Sequence, residues 1–338
     1  MPNAVAPWIL NGLVHSSASS TRALGFTYML KGKPQVDAGS AYLQAFALEA
    51  SAAGVTQTAA TNVTLSFPAG HQLDPYGNST SAFGMVVTGC VVPLRSGGHL
   101  ATLYGTYKAD GAMSGAHYSL LAVKTTDGGR SWKWLSTVAS HLTPGSPPEC
   151  LMPSESSTVY LKNGSLFTVF RSEGTGSAPA QPGHPPLKLT SAAATPEPLC
   201  QTLSHSEGAS WSLPQAMDGP VGVEPKLRVL KSGRIALSTG RPGLYLYVAS
   251  DPPTRWQSFN VAAAHNKLVA DPTLKFYSDI PGGGTNGTTS YTGLVVAKGG
   301  EGDAVYVSYD RLGNGWGTIE QGQASAVFVM KLAIGPAA

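Results

Sequence analysis

The stretch Thr125-Thr126-Asp127-Gly128-Gly129-Arg130-Ser131-Trp132 decides the fold. Its frame, Ser/Thr-x-Asp-x-Gly-x-Ser/Thr-Trp, describes a tight hairpin turn. The aspartate accepts backbone N–H bonds inside the turn, and Asp and Gly suit its special dihedral angles. The tryptophan is then expected to pack between neighbouring strands. The frame returns at Ser204-His205-Ser206-Glu207-Gly208-Ala209-Ser210-Trp211, with Ser206 in the aspartate position. Looser copies are Ser250-Asp251 followed by Trp256, and Ser308-Tyr309-Asp310 followed by Gly313 and Trp316. A hairpin motif recurring every few tens of residues marks a repeat architecture.

Composition points the same way. Among 338 residues are 40 glycines and 25 prolines, with 42% apolar and only 12% charged residues. That is the profile of an all-β chain with many turns, and the apolar residues fall in strand-length runs, unlike those of a disordered chain. Such runs lie at 83–92, 100–107, 119–124, 158–161, 165–171, 227–230, 234–238, 244–249, 293–297, 304–309 and 326–332. Turn signals separate them, such as Lys162-Asn163-Gly164 and Lys231-Ser232-Gly233. One short helix is expected over 41–53.

The most regular unit is an apolar strand, an x-Asn/Ser-Gly turn, a second apolar strand and an arginine; it occupies 158–171 and again 227–241. Antiparallel strands joined by short hairpins and repeated as modules suggest a β-propeller of four-stranded antiparallel blades. At roughly 50 to 60 residues per blade the chain suits six blades. Residues 172–195, rich in Gly, Pro, Ser and Ala, read as a loop inserted in one blade, and no domain boundary interrupts 1–338.

A net charge of +3 argues for neither nucleic acid nor an anionic membrane surface. No apolar run is long enough for a transmembrane helix, and residues 1–10 lack the basic and apolar regions of a signal peptide. Cys90, Cys150 and Cys200 allow at most one internal disulfide. Sequons at Asn62, Asn78, Asn163 and Asn286 suit a secreted or extracellular protein. The eight histidines show no paired spacing, so neither a metal nor another cofactor is expected. A monomer is expected.

With these motifs the chain resembles the sialidase (neuraminidase) superfamily, the six-bladed Asp-box, or BNR-repeat, propellers that hydrolyse terminal sialic acids. The resemblance spans most of 85–332. The Asp box itself belongs to the outer turn of a blade, so it identifies the scaffold and not the chemistry. Three further segments speak to a site. Glu155-Ser156-Ser157-Thr158-Val159-Tyr160-Leu161-Lys162-Asn163-Gly164-Ser165-Leu166, leading to Phe170-Arg171, is similar to the family segment whose Glu partners the nucleophile and whose Arg binds the substrate carboxylate. Glu149, before Cys150, is a second candidate for that Glu. Ser290-Tyr291-Thr292-Gly293-Leu294 resembles the segment carrying the nucleophilic tyrosine, which makes Tyr291 the candidate. Arg241, in Ser238-Thr239-Gly240-Arg241-Pro242, resembles a second carboxylate-binding arginine. Position alone makes Asp110, in the loop after the strand at 100–107, the candidate acid/base.

The implied activity is that of a retaining exo-glycosidase acting on sialic acid or a related acidic sugar. A sialoside is anionic at its anomeric centre, so a phenol oxygen suits the nucleophile better than a carboxylate. A tyrosine hydroxyl, with an ordinary pKa near 10, needs an adjacent base. Arginine forks match a carboxylate, and a protonated Asp would donate to the leaving oxygen. The family's third arginine is missing: its position falls near Cys90 in Thr88-Gly89-Cys90-Val91-Val92-Pro93. Arg95 lies in the next turn and is expected to point away. That departure leaves open another sugar substrate, or glycan binding without turnover. Without the resemblance, Tyr291 reads as an ordinary strand tyrosine and Glu155 and Asp110 as turn residues. Arg171 and Arg241 end apolar strands, where a buried guanidinium requires a partner or ligand.

Overall fold

A computed structural model describes residues 64–69, 91–108, 118–140, 143–172, 198–279, 288, 291–299, 302–312 and 325–335, together with the backbone of the strands Trp8–Ser17, Ser20–Thr27, Ala41–Ala45, Leu48–Ser51, Gly54–Gln57, Thr61–Ser66, Gln72–Leu73 and Val86–Val87. Most of the described residues lie in β-strands. Beside the two-stranded pairings of Trp8–Ser17 with Ser20–Thr27 and of Leu48–Ser51 with Gly54–Gln57, four larger sheets follow one another along the chain. The first, of eight strands, runs Ala41–Ala45, Thr61–Ser66, Ser131–Ser140, Tyr118–Thr125 and His99–Lys108, with three short strands on the last. The second is the antiparallel meander Pro153–Tyr160, Leu166–Ser172, Pro198–Ser204 and Gln215–Val221. The third is the meander Val223–Val229, Ile235–Gly240, Tyr245–Ala249 and Gln257–Asn260. The fourth comprises Gly293–Val296, Asp303–Arg311 and Ala326–Ile334.

Strand periodicity explains why the sheets stack face to face. Successive side chains point to opposite faces, and here both faces are apolar. Leu166 and Phe170 pack with Leu100, Leu120 and Val138 of the first sheet. Their neighbours Phe167 and Val169 pack with Leu227, Ile235 and Leu237 of the third. Ala236, between those two, turns towards Leu294, Val305 and Val307 of the fourth. Each middle sheet is thus sandwiched between two others, and the apolar runs of the sequence are continuous rather than alternating.

The leading strands of the second, third and fourth sheets pack side by side. Hydroxyl side chains bridge the sheets where they come this close. Ser156 Oγ lies 2.8 Å from Thr102 Oγ1, Ser157 Oγ accepts the Leu227 N–H at 2.9 Å, and Ser238 Oγ lies 2.8 Å from Thr292 Oγ1. All six residues from Pro153 to Thr158 are buried, and the buried hydroxyls are bonded as their desolvation requires.

A second set of ties repeats from sheet to sheet. The turn ending at Gly98 gives the Arg95 and Ser96 N–H groups to Glu207 at 2.8 and 3.1 Å. The 162–164 turn gives the Lys162 N–H to Asp251 at 2.7 Å. The 231–233 turn gives the Ser232 N–H to Asp303 at 3.0 Å. In each case a carboxylate of the following sheet holds the first hairpin of the preceding one. Hydrogen bonds from Ser96 and Tyr160 hold Glu207 down at about 2, and those from Ser232 and Arg234 outweigh burial to lower Asp303.

The motif at 125–132 forms the expected turn. Asp127 Oδ1 accepts the N–H groups of Arg130 and Ser131 at 2.9 and 3.0 Å, and Oδ2 accepts the Ser131 hydroxyl at 2.6 Å. Burial opposes the charge, but these bonds and that from Thr125 bring Asp127 down to about 2. Gly128 and Gly129 have φ of 73° and 88°, which a side chain would strain. Trp132 is fully buried. In the second copy Ser206 Oγ takes the Ser210 N–H at 2.9 Å, so a hydroxyl performs the carboxylate's part. Trp211 donates from Nε1 to Ser136 Oγ at 3.0 Å.

Two expectations change. Residues 41–53 are not a helix: Ala41–Ala45 pairs with Thr61–Ser66 and Leu48–Ser51 with Gly54–Gln57, so cross-strand pairing overrides alanine's helical preference. A short helix forms at Val261–Leu268 instead, where Asn260 Oδ1 caps the Ala263 N–H at 2.9 Å. Asp310 is not in a hairpin turn: it pairs with Val327 within a strand whose buried residues Val305, Val307 and Tyr309 alternate. Cys150 and Cys200 form a disulfide, while Cys90 and nearly all of the 172–195 segment lie outside the described residues. No helix among the described residues is long and apolar enough to cross a membrane.

Candidate functional site

In an antiparallel meander the start of the first strand and the end of the second share one end of the sheet. Pro153 opposes Ser172 in the second sheet, and Val223 opposes Gly240 in the third. Glu155 and Arg171 therefore lie together, as do Glu224 and Arg241. Tyr291 sits two residues before Gly293–Val296, the leading strand of the fourth sheet. Because the leading strands pack side by side, these ends meet. Register shifts between Pro153 and Ser156 and between Val223 and Lys226 bend both strands where their glutamates stand.

Glu155 is the centre of the cluster. It is 1% exposed. Oε1 accepts the Tyr291 hydroxyl, Oε2 accepts the Glu224 N–H at 2.8 Å, and Arg171 Nη1 lies 3.5 Å from Oε2. The Arg241 guanidinium lies 5.8 Å from the centre of the Tyr291 ring. Glu224, also buried, forms an ion pair with Lys226 through Oε1. Sequence reasoning placed Glu155, Arg171, Arg241 and Tyr291 in one site, and the structure brings those four together. Asp110 lies outside the described residues. Glu149 is exposed on the turn Pro148–Cys150, well separated in character from buried Glu155. Arg95 stacks its guanidinium 4.7 Å over Tyr160, in the outer turn held by Glu207.

Glu224 and Lys226 were missed, although a signal for them exists. Glu155 precedes Arg171 by sixteen positions and Glu224 precedes Arg241 by seventeen. Extending the repeated unit a few residues upstream aligns the two glutamates.

The electrostatics follow from burial. Desolvation and the neighbouring Glu155 carboxylate push the Tyr291 phenol far above its usual pKa, with Glu224 adding to this and Arg241 opposing it. Tyr291 is therefore a phenol at rest, its proton directed at Glu155. Burial pushes Glu224 up to about 7, against the pull of Lys226. The cluster holds three cations and two carboxyl groups, so it carries at least one net positive charge and suits an anionic ligand. Among the described residues, no group of three or more His, Cys, Asp or Glu is placed to hold a metal ion.

No family model and no curated protein sequence matches the chain. Solved structures do. A protein of unknown function from Dyadobacter fermentans matches with a TM-score of 0.57 and 14% identity, over 96% of this chain and 75% of that one. The RS223 β-xylosidase matches at 0.53 with 9% identity, over 97% and 93%. The exo-β-1,3-galactanase 1,3Gal43A from Clostridium thermocellum matches at 0.50 with 10% identity, over 98% and 60%. At these identities the likeness concerns the fold: an all-β arrangement of antiparallel sheets shared with propellers.

Proposed function

We propose that the protein is a glycoside hydrolase on a six-bladed propeller, resembling exo-α-sialidases, that releases a terminal sialic acid or related acidic sugar with retention of configuration. The observation that carries this reading is the half-buried Tyr291 hydroxyl donating to Glu155, whose second oxygen faces Arg171 while Arg241 lies over the same phenol. The net positive charge suits a sugar carboxylate, and glycosidases stand among the proteins sharing the fold. The disulfide suits an oxidising, extracellular setting.

In the first step the Tyr291 O–H bond breaks and its proton forms a bond to Glu155. The freed oxygen pair attacks the anomeric carbon as the glycosidic C–O bond breaks. Asp110 gives its proton to the departing oxygen. In the second step water attacks the anomeric carbon, Asp110 takes a water proton, and Glu155 returns its proton to the departing tyrosine oxygen. Two inversions give retention. Arg171 and Arg241 hold the sugar carboxylate. Because a phenolate is so disfavoured at rest beside Glu155, proton transfer belongs with bond formation and does not precede it.

A second reading is a glycan-binding propeller without turnover, favoured by the absence of arginine in the 88–93 segment. A third is turnover of another sugar, as in the xylosidase and galactanase named above. Fluorogenic sialosides, uronides and neutral glycosides, offered to the wild type and to Tyr291→Phe, separate these. Loss of turnover with binding retained in the variant supports the proposal; full turnover by the variant removes Tyr291 from the chemistry. Glycan binding with no hydrolysis of any sugar by the wild type favours the second reading.

A further inference from the structure

Nothing in that proton transfer uses Glu224, yet its setting is costly. With φ of 48°, it is one of two non-glycine residues among those described in the left-handed region, which a side chain rarely adopts. The bend begins at Gly222, where a Cβ would meet the Gly240 carbonyl oxygen at 2.0 Å, so the backbone is held tightly there. The bend aims the Glu224 N–H at Glu155 Oε2. The carboxyl group is buried, with Oε1 on Lys226 and no hydrogen-bond partner for Oε2 among the described residues. Lys226 faces it from its own strand, and Glu155 and Arg171 from the second sheet. Its charge also reaches Tyr291, on which Arg241 acts in the opposite sense.

We propose, building on the glycosidase reading, that Glu224 is a positioning residue for the Glu155–Tyr291 pair: its backbone orients Glu155, and its carboxylate charge strengthens Glu155 as the acceptor of the Tyr291 proton. A like charge beside a carboxylate raises that carboxylate's proton affinity. Glu224 is bonded to Glu155 through its own N–H, whereas the Tyr291 hydroxyl is bonded to the other Glu155 oxygen, so the effect on the acceptor is taken as the larger. When Glu224 is protonated that support is lost. Burial sets this change at about pH 7, with Lys226 holding it from going higher. Transfer is accordingly stronger above that pH and weaker below it.

The test uses the unliganded full chain carrying ¹³C-carboxyl glutamate, titrated by NMR, with signals assigned through Glu155→Gln and Glu224→Gln. The Glu155 signal is expected to shift in step with Glu224 ionisation near neutrality, and that step is expected to vanish in Glu224→Gln. Lys226→Met is expected to move the step upwards by roughly one to three pH units, and decides the matter if Glu224→Gln does not fold. A Glu155 signal that ignores Glu224 ionisation, or a step that Lys226→Met leaves in place, overturns the proposal. Since no sugar is turned over, this outcome is independent of the glycosidase reading. On any substrate found, Glu224→Gln is expected to remove the near-neutral step from the acid limb of the kcat profile with KM unchanged; a residue that merely supports folding would lower Tm and leave that step in place.

Discussion

Replacing Glu155 by glutamine changes one atom and separates its structural part from its chemical one. The carboxylate accepts on both oxygens, from Tyr291 on one side and the Glu224 N–H on the other, with Arg171 alongside. A glutamine satisfies only one side as acceptor. With its oxygen towards the Glu224 N–H and Arg171, its NH₂ faces the Tyr291 oxygen, which can accept as well as donate. The fold then loses about 1–3 kcal/mol, the worth of a charge-assisted hydrogen bond, and Glu155→Gln stays folded. The chemistry fares worse, because Tyr291 has no base to receive its proton. General-base catalysis is worth about 10²- to 10⁴-fold, or roughly 3–5 kcal/mol of activation free energy. Two measurements check this. On whichever fluorogenic glycoside the wild type hydrolyses, kcat is expected to fall by that factor. In the unliganded protein, an alkaline titration read by tyrosinate absorbance is expected to show Tyr291 ionising at lower pH, because the Glu155 charge and hydrogen bond that hold its proton are gone. A kcat within about tenfold of wild type, or an unmoved tyrosine titration, refutes the assignment of Glu155 as the base.

Two further predictions concern the scaffold. Glu207, held at about 2 instead of 4.5, contributes stability that is fully present above pH 4.5 and is lost as pH falls towards 2. Glu207→Gln is thus expected to lower stability at neutral pH by about 1 kcal/mol or less, given its exposure. That difference is expected to vanish in strong acid; thermal melts of both proteins across the acid range measure it, and a constant gap at every pH counts against the carboxylate tie. Replacing both Cys150 and Cys200 by serine opens a link across 50 positions. Chain entropy puts the cost at about 4 kcal/mol, and a denaturant midpoint equal to the wild type's contradicts it.

Legibility in the sequence followed the physics of each feature. Turns were readable because Asp127, Gly128 and Gly129 meet a local demand of hydrogen bonding and dihedral angle that the stretch itself supplies. Strands such as Leu166–Ser172 were readable because both faces are buried, leaving an unbroken apolar run. The strand at Gln215–Val221 was overlooked because most of its residues are exposed and it carries no apolar run. The 41–53 segment was misread because its pairing with Thr61–Ser66 is settled by tertiary contact. Within the site, Glu155, Arg171 and Tyr291 carried a motif, but the serines at 156 and 157 gave no hint that their hydroxyls fasten neighbouring sheets. The ties made by Glu207, Asp251 and Asp303 were equally hidden, since each joins residues tens of positions apart.

The same repetition that builds the sheets also accounts for the site's charge. The glutamate that opens each unit and the arginine that closes it cancel in charge, and two such pairs side by side still cancel. Packing leading strand against leading strand, however, brings Glu155 and Glu224 together at their bent ends. The charge of Glu155 acts unfavourably on the buried Glu224 carboxylate, and such repulsion has two remedies: a proton, or another cation. Glu224 shows both, with Lys226 at its oxygen and a pKa raised to about 7. Once Lys226 is present the cluster is positive overall, which a neutral sugar leaves uncompensated and an acidic sugar offsets. The two copies then cannot share one role. Glu155 is the one that Tyr291 reaches, and Glu224 is left to act on it from behind. In this view the proposed preference for an acidic sugar and the proposed division of labour between the two glutamates have a single origin in the stacking of like units, and both depend on Lys226.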